Sequence, residues 1–169
     1  MKKIVSYMMT GILLLSFLLT GCGSPEPQTG KKMSMYYINT AETKVEVHEQ
    51  YLNTKTLDEQ LDETMRYLST TPEKLEYKAP LDMGFRVLDY EVEDGKLLIN
   101  VDKAYSELSP TTEVLVRAAI VRTLTQLPNV KYVGITVEDS QLYDNAGEMV
   151  GWMNADQFIN NDGNEINTY

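Results

Sequence analysis

Two hydrophobic regimes divide the chain. From Ile4 to Leu19 the residues are apolar apart from Ser6, Thr10, Gly11 and Ser16, and Lys2 and Lys3 precede them. From Met33 onward apolar residues recur with periods of two or near 3.6, the patterns of strands and amphipathic helices. Met33, Met35 and Tyr37 alternate along one predicted strand, and Val45, Val47 and Tyr51 alternate with Glu46, His48 and Gln50 along the next. Thr56-Leu57-Asp58-Glu59 has the spacing of a capping box, in which Thr56 starts a helix and Glu59 reaches back. Leu57, Leu61, Met65 and Leu68 then form a narrow apolar stripe, and Pro72 closes the segment.

A hairpin follows a polar connection that runs to Ala79. Leu88, Tyr90 and Val92 alternate with Asp89, Glu91 and Glu93, and Leu97, Ile99 and Val101 alternate on the far side of Asp94-Gly95. Asp-Gly accepts the two positive φ values of a type I′ turn. Ser109-Pro110 opens a second helix as N-cap and first helical residue. Its apolar arc takes Val114, Val116, Ala118, Ile120, Val121, Leu124 and Leu127, about half the circumference, with Arg117 inside it. Leu115 and Ala119 fall on the other side beside Arg122, Thr123 and Gln126. Pro128-Asn129 stops the helix, Val133, Ile135 and Val137 mark a strand, and Leu142 to Met153 predict a weaker hairpin about residues 144–147. The expected order is ββαββαβ: an α+β fold with a small mixed sheet and two helices packed on one face.

The leading segment has the cationic start and apolar run of an export signal. Leu19-Thr20-Gly21-Cys22 ends it with the aliphatic, small, small, cysteine pattern of a lipobox. Cys22 is the expected lipidation site, its thiol taking a diacylglyceryl group. The division is then a signal peptide at 1–21, a tether at 22–32, a domain at 33–155 and a polar tail at 156–169. Ten tether residues reach at most about 35 Å, so the domain is expected at the outer face of the cell membrane. The chain carries 15 Lys and Arg against 25 Asp and Glu, a net charge of −10. That excess disfavours nucleic acid and anionic headgroups as partners, leaving the two acyl chains as the attachment. One cysteine and one histidine rule out an internal disulfide, a thiolate zinc site and a His-rich metal centre. No cofactor is expected beyond the covalent lipid.

The residues from Pro80 to Asp139 resemble the GerMN domain of bacterial sporulation and germination lipoproteins. The resemblance rests on Pro80 and Gly84 before the hairpin, Asp94-Gly95 at its turn, Val101-Asp102 at its end, and Val121 to Val130 (VRTLTQLPNV) leading to the last strand. Met35-Tyr36-Tyr37 fits the opening strand, which extends the match to roughly 33–139. Glu138-Asp139 stand where the family often shows a glycine, and one copy is present where a double-copy member exists. The resemblance implies a non-catalytic, ring-building-type fold working outside the membrane in an envelope assembly.

The candidate chemistry has plain alternatives. His48 lies on the predicted polar face of its strand, with no nucleophile near it in sequence. Asp89, Glu91 and Glu93 form an acidic stripe that could bind a cation or basic partner, or simply face solvent. Residues 160–165 fail the spacing of a calcium loop. No phosphate loop, G-x-S-x-G or H-E-x-x-H motif occurs. The wide apolar coverage of the second helix predicts an interaction surface at Leu115, Arg117, Ala119 and Arg122, for an envelope protein or another copy of the chain. The competing function is a solute- or glycan-binding lipoprotein, or a carboxylate-based hydrolase.

Overall fold

The computed structural model describes residues 30–72, 76–144, 146–161 and 164–167. The expected signal peptide, Cys22 and most of the tether lie outside them. Strand β1 (Lys31–Asn39) starts two residues inside the expected tether and pairs antiparallel with β2 (Val45–Leu52). Helix α1 (Leu57–Leu68) opens with the full capping box, Thr56 and Glu59 bonding each other's backbone N–H. Leu61, Met65 and Leu68 of its stripe are buried. A two-residue strand β3 (Tyr77–Lys78) sits in the expected polar connection and pairs with the end of β1. The order of this first sheet is β2-β1-β3.

Strands β4 (Val87–Glu93) and β5 (Lys96–Val101) form the expected hairpin. Asp94 and Gly95 at its tip have φ of 49° and 80°. Helix α2 (Pro110–Leu124) starts at Ser109, whose Oγ accepts from Thr112 N at 3.1 Å. Strand β6 (Tyr132–Val137) returns parallel to β5, and β7 (Ser140–Gln141) pairs antiparallel with it. The second sheet is therefore mixed, with order β4-β5-β6-β7. Strands β8 (Phe158–Asn161) and β9 (Asn164–Asn167) make a small hairpin within the expected polar tail.

The α+β class and the order of the main elements match the expectation, but the single main sheet is split into two, with the β8–β9 pair beside them. The reason is α2. It packs against both β1 and β6, and eleven of its residues are buried. A helix apolar nearly all round belongs in an interior. Its polar residues finish the job on the first sheet, because β1 meets β3 only at Ile38 and Asn39. Along the rest of that edge Tyr36 N donates to Thr123 Oγ1 (3.1 Å) and Ser34 N to Gln126 Oε1 (3.0 Å). Gln126 Nε2 donates back to Ser34 O at 2.7 Å. Side chains of α2 and of the turn just after it thus occupy the hydrogen-bonding edge that another strand would need.

Two strand faces differ from the expected phase. In β2, Met35 lies opposite His48 and Met33 opposite Gln50, so the buried face of β1 continues onto His48 and Gln50. Val47, expected inward, is 51% exposed. In β4, the register shifts between Val87 and Asp89. This bulge puts Val87 opposite Val101 and turns Leu88 outward.

Candidate interaction surface

The second sheet has one face for α2 and one for solvent. Leu97, Ile99, Val133 and Ile135 point inward and are buried. The outward face alternates with them. Leu98 lies between Glu91 and Gly134, Asn100 between Asp89 and Thr136, and Lys96 between Glu93 and Tyr132. Asp89, Glu91 and Glu93 are exposed, as the plain reading of the acidic stripe expects. Asn100 is buried and donates from Nδ2 to Asp89 Oδ2 (3.0 Å) and Asp139 Oδ1 (2.8 Å). Its Oδ1 accepts from Asp139 N at 3.0 Å. That clamp holds Glu138 and Asp139 at φ of 48° and 64°, a two-residue turn that ordinarily favours glycine or asparagine.

The chain then runs back along the free edge of β6 and brings Trp152 over this face. Val150 N donates to Leu142 O (2.9 Å), Gln141 Nε2 to Val150 O (2.6 Å), and Val133 and Met153 exchange two backbone bonds of 2.8 Å. The Leu142–Val150 bond and the Tyr143–Met149 bridge form the weak hairpin expected over 142–153, and the Val133–Met153 pair joins its end to β6. In its loop, Asp144 Oδ1 accepts from Ala146 N and Glu148 N, both at 2.9 Å. Trp152 approaches the sheet closely over Gly134, where there is no side chain. A Cβ there would sit 2.8 Å from Trp152 Cζ3 and 3.2 Å from Leu98 Cδ1. Lys96 Nζ lies 5.3 Å from the centre of the indole ring, within cation–π range.

The folded-back segment leaves large apolar side chains in solvent. Met149 is 63% exposed, Tyr143 60% and Trp152 42%. Two small cavities flank the stretch from Met149 to Trp152. One, of about 190 Å³, is lined by Asp144, Glu148, Met153, Gln157, Phe158 and Arg117. The other, of about 180 Å³, is lined by Leu98, Gly134, Thr136 and Gln141.

Arg117 is the one predicted surface residue that reaches this site, and it does so from beneath. It is 5% exposed, with Nε 2.6 Å from Glu113 Oε1 and Nη1 3.9 Å from Met153 Sδ. Glu113, also buried, accepts from the Tyr105 hydroxyl at 2.9 Å through the same oxygen. Burial raises the Tyr105 phenol well above its usual range, and the neighbouring Glu113 charge adds to the rise. Leu115 and Ala119 are 2% and 0% exposed and cannot form an outer surface. The expected second-helix surface fails because both sheets already cover that helix. Arg122 alone stays partly exposed, with its guanidinium 4.2 Å from the centre of the Tyr36 ring. His48 is half-buried on β2, away from the folded-back segment. Among the described residues, no group of three or more His, Cys, Asp or Glu is placed to hold a metal ion. No helix among them is long and apolar enough to cross a membrane.

Residues 34–143, more than half of the chain, match the family model described as Germane, sporulation and spore germination. The chain is a member of the Germane family. Its fold agrees with that assignment. The first GerMN domain of the sporulation protein GerM from Bacillus subtilis superposes with a TM-score of 0.55 at 14% identity, covering 72% of this chain and 94% of that one. The tandem GerMN domains of the same protein give 0.54 at 17% identity, covering 80% of this chain and 49% of that one. The chain thus spans about half the length of the tandem structure. A comparison with curated proteins returns no match. The Germane match stops at residue 143, so Glu148, Met149 and Trp152 belong to a segment beyond it. The turn in this segment is legible in the sequence, but the place of its tryptophan, the only one in the chain, is not. The available signal is a lone Trp three residues after a Met in a short predicted hairpin.

Proposed function

We infer that this Germane-family chain is a lipid-anchored lipoprotein on the extracytoplasmic face of the cell membrane, and that its domain binds a protein partner within an envelope assembly of sporulation or germination. It acts by binding and not by catalysis. The observation that carries the reading is the cluster of exposed Tyr143, Met149 and Trp152, held on a rigid sheet. Exposed aromatic and Met side chains on a firm scaffold are what protein interfaces use. Anchoring rests on the lipobox ending at Cys22, with the acyl chains supplying affinity that a chain of net charge −10 does not gain from anionic lipid.

The test is genetic. A deletion strain is expected to show a defect when sporulation, germination and wall growth are imaged. The wild-type gene restores it, and a Cys22→Ala gene, whose product leaves the membrane fraction, does not. Full restoration by soluble Cys22→Ala protein would refute the anchoring. A deletion without any such defect would refute the assigned process.

A further inference from the structure

We propose that the cavity beside Trp152 receives one uncharged carboxamide side chain, Gln or Asn, of a protein partner. Its carbonyl oxygen accepts from Arg117, and an adjoining apolar residue of that partner packs on Met149 and Trp152. This names the partner chemistry for the interaction role above and rests on that reading.

The floor of the cavity sets the requirement. Arg117 is 5% exposed and lines the space, and its Nη1 reaches Met153 Sδ, on another lining residue, at 3.9 Å. The guanidinium end is therefore what faces the cavity. A thioether is a weak acceptor, so that N–H is poorly used. Arg117 Nε lies 2.6 Å from Glu113 Oε1 without the alignment of a hydrogen bond, and Glu113 Oε2 is buried with no hydrogen-bond partner among the described residues. The pair cancels in charge but leaves a buried donor in want of an acceptor, a costly state that an entering group can relieve.

Charge and size narrow the occupant. Arg117 repels the head of a Lys or Arg, and an apolar side chain would cover the guanidinium without giving it an acceptor. A carboxylate would meet Asp144 and Glu148 on the lining and approach a chain of net charge −10. A neutral group that accepts at the floor and donates at the rim meets none of these penalties. A carboxamide does both: its oxygen faces Arg117, and its N–H groups face Glu148, which is exposed. Asp144 contributes less, because its Oδ1 already accepts from two backbone N–H groups. At about 190 Å³ the cavity falls below the ~300–1,000 Å³ of small-molecule sites, so it suits a single side chain.

The acetamido group of an amino sugar offers the same atoms. Lys96 Nζ, 5.3 Å from the centre of the indole, takes ring area on which a pyranose would stack, whereas the exposed Met149 and Tyr143 extend the apolar rim that a protein residue covers. The close seat over Gly134 and the neighbouring Lys96 also place Trp152 before anything binds, which lowers the ordering cost of association.

The experiment pans the full-length chain in detergent micelles against a random peptide library made without tryptophan. Enriched peptides are expected to carry Gln or Asn next to an apolar residue. One of them, synthesised and amidated, is titrated while the fluorescence of Trp152 is read, beside versions with Glu, Lys or Leu in place of the carboxamide residue. Each replacement is expected to bind at least about tenfold more weakly. In protein carrying Glu113→Leu and Arg117→Leu together, the preference for Gln over Leu should fall to about one. A library that enriches nothing or shows no carboxamide bias, or a Glu, Lys or Leu version that binds equally, would overturn the proposal; so would an unchanged preference in the folded double variant. Chitotetraose, a chain of N-acetylglucosamine, that binds more tightly than the peptide would overturn the protein assignment. If any of these occurs while a photocrosslinker at position 149 still captures an envelope protein, the cavity assignment fails and the interaction role stands. If position 149 captures none, both fail.

Discussion

Replacing Gly134 by alanine puts one carbon under the tryptophan and asks whether Trp152 is held where the account needs it. The new Cβ would lie 2.8 Å from Cζ3 and 3.0 Å from Cε3 of the indole, and 3.2 Å from Leu98 Cδ1. Carbon atoms rest at about 3.5–4.0 Å, so the ring must retreat by roughly 0.7 Å or more. Overpacking a closed interior costs about 1–3 kcal/mol, but Trp152 is 42% exposed and its far edge can swing outward. Removing a glycine from a strand returns roughly 0.5–1 kcal/mol. The net loss of stability is therefore expected to stay below about 2 kcal/mol, a fall of a few degrees in Tm at this chain length, while the ring leaves its seat. Because the chain has one tryptophan, intrinsic fluorescence reads that displacement without interference. Gly134→Ala should emit further to the red and be quenched more readily by acrylamide, while its far-ultraviolet circular dichroism is unchanged. Spectra and quenching that superimpose on wild type would show that the ring is not seated on Gly134, and would remove the preorganised anchor.

Three other outcomes follow from the same contacts. Thr123→Val keeps the shape of a fully buried residue but removes the acceptor for Tyr36 N and the donor to Ala119 O; chemical denaturation should show a loss of about 1–3 kcal/mol, and a neutral result would contradict the edge-capping role of α2. Arg117→Leu leaves Glu113 buried with only the Tyr105 hydroxyl as partner and should cost about 3–5 kcal/mol, whereas Glu113→Leu combined with Arg117→Leu should recover much of it in a double-mutant cycle. Glu42 is held below its ordinary carboxyl range first by its bond from Lys78 and then by the Thr112 hydroxyl at 2.6 Å. Because the folded value is the lower one, this stabilisation is present above the ordinary value of 4.5 and is lost as pH falls through the folded value. Glu42→Gln should therefore be less stable than wild type at pH 7, with the difference shrinking in unfolding curves taken below pH 4.5.

Local rules made much of this fold legible in the sequence. The Thr56 capping box, the Asp94-Gly95 turn and the Ser109-Pro110 helix start each depend on a few neighbouring residues, and the structure has all three. The misread parts depend on distant partners. Strand β2 carries apolar residues in both phases, Val45 and Val47 in one and Leu52 in the other, and its pairing with β1 selects the phase of His48 and Gln50. The bulge at Leu88 reverses a side chain that simple alternation points inward. The broad apolar coverage of α2 alone suggests a surface awaiting a partner. It is the mark of a helix enclosed by two sheets of its own chain, one of which ends in an edge that Thr123 and Gln126 complete. The site around Trp152 joins β4, β5, β6 and the segment near 150, and no short motif spans those elements.

The most direct test places a photocrosslinking amino acid at position 149, on the most exposed of the large apolar residues described, in the full-length protein expressed in sporulating cells. A second protein carries the same label at position 47 on β2, also half exposed but on the other sheet. The account predicts a discrete adduct with an envelope protein from position 149, abolished by Cys22→Ala, with no such adduct from position 47. Equal adducts from both positions, or none from position 149, would contradict it.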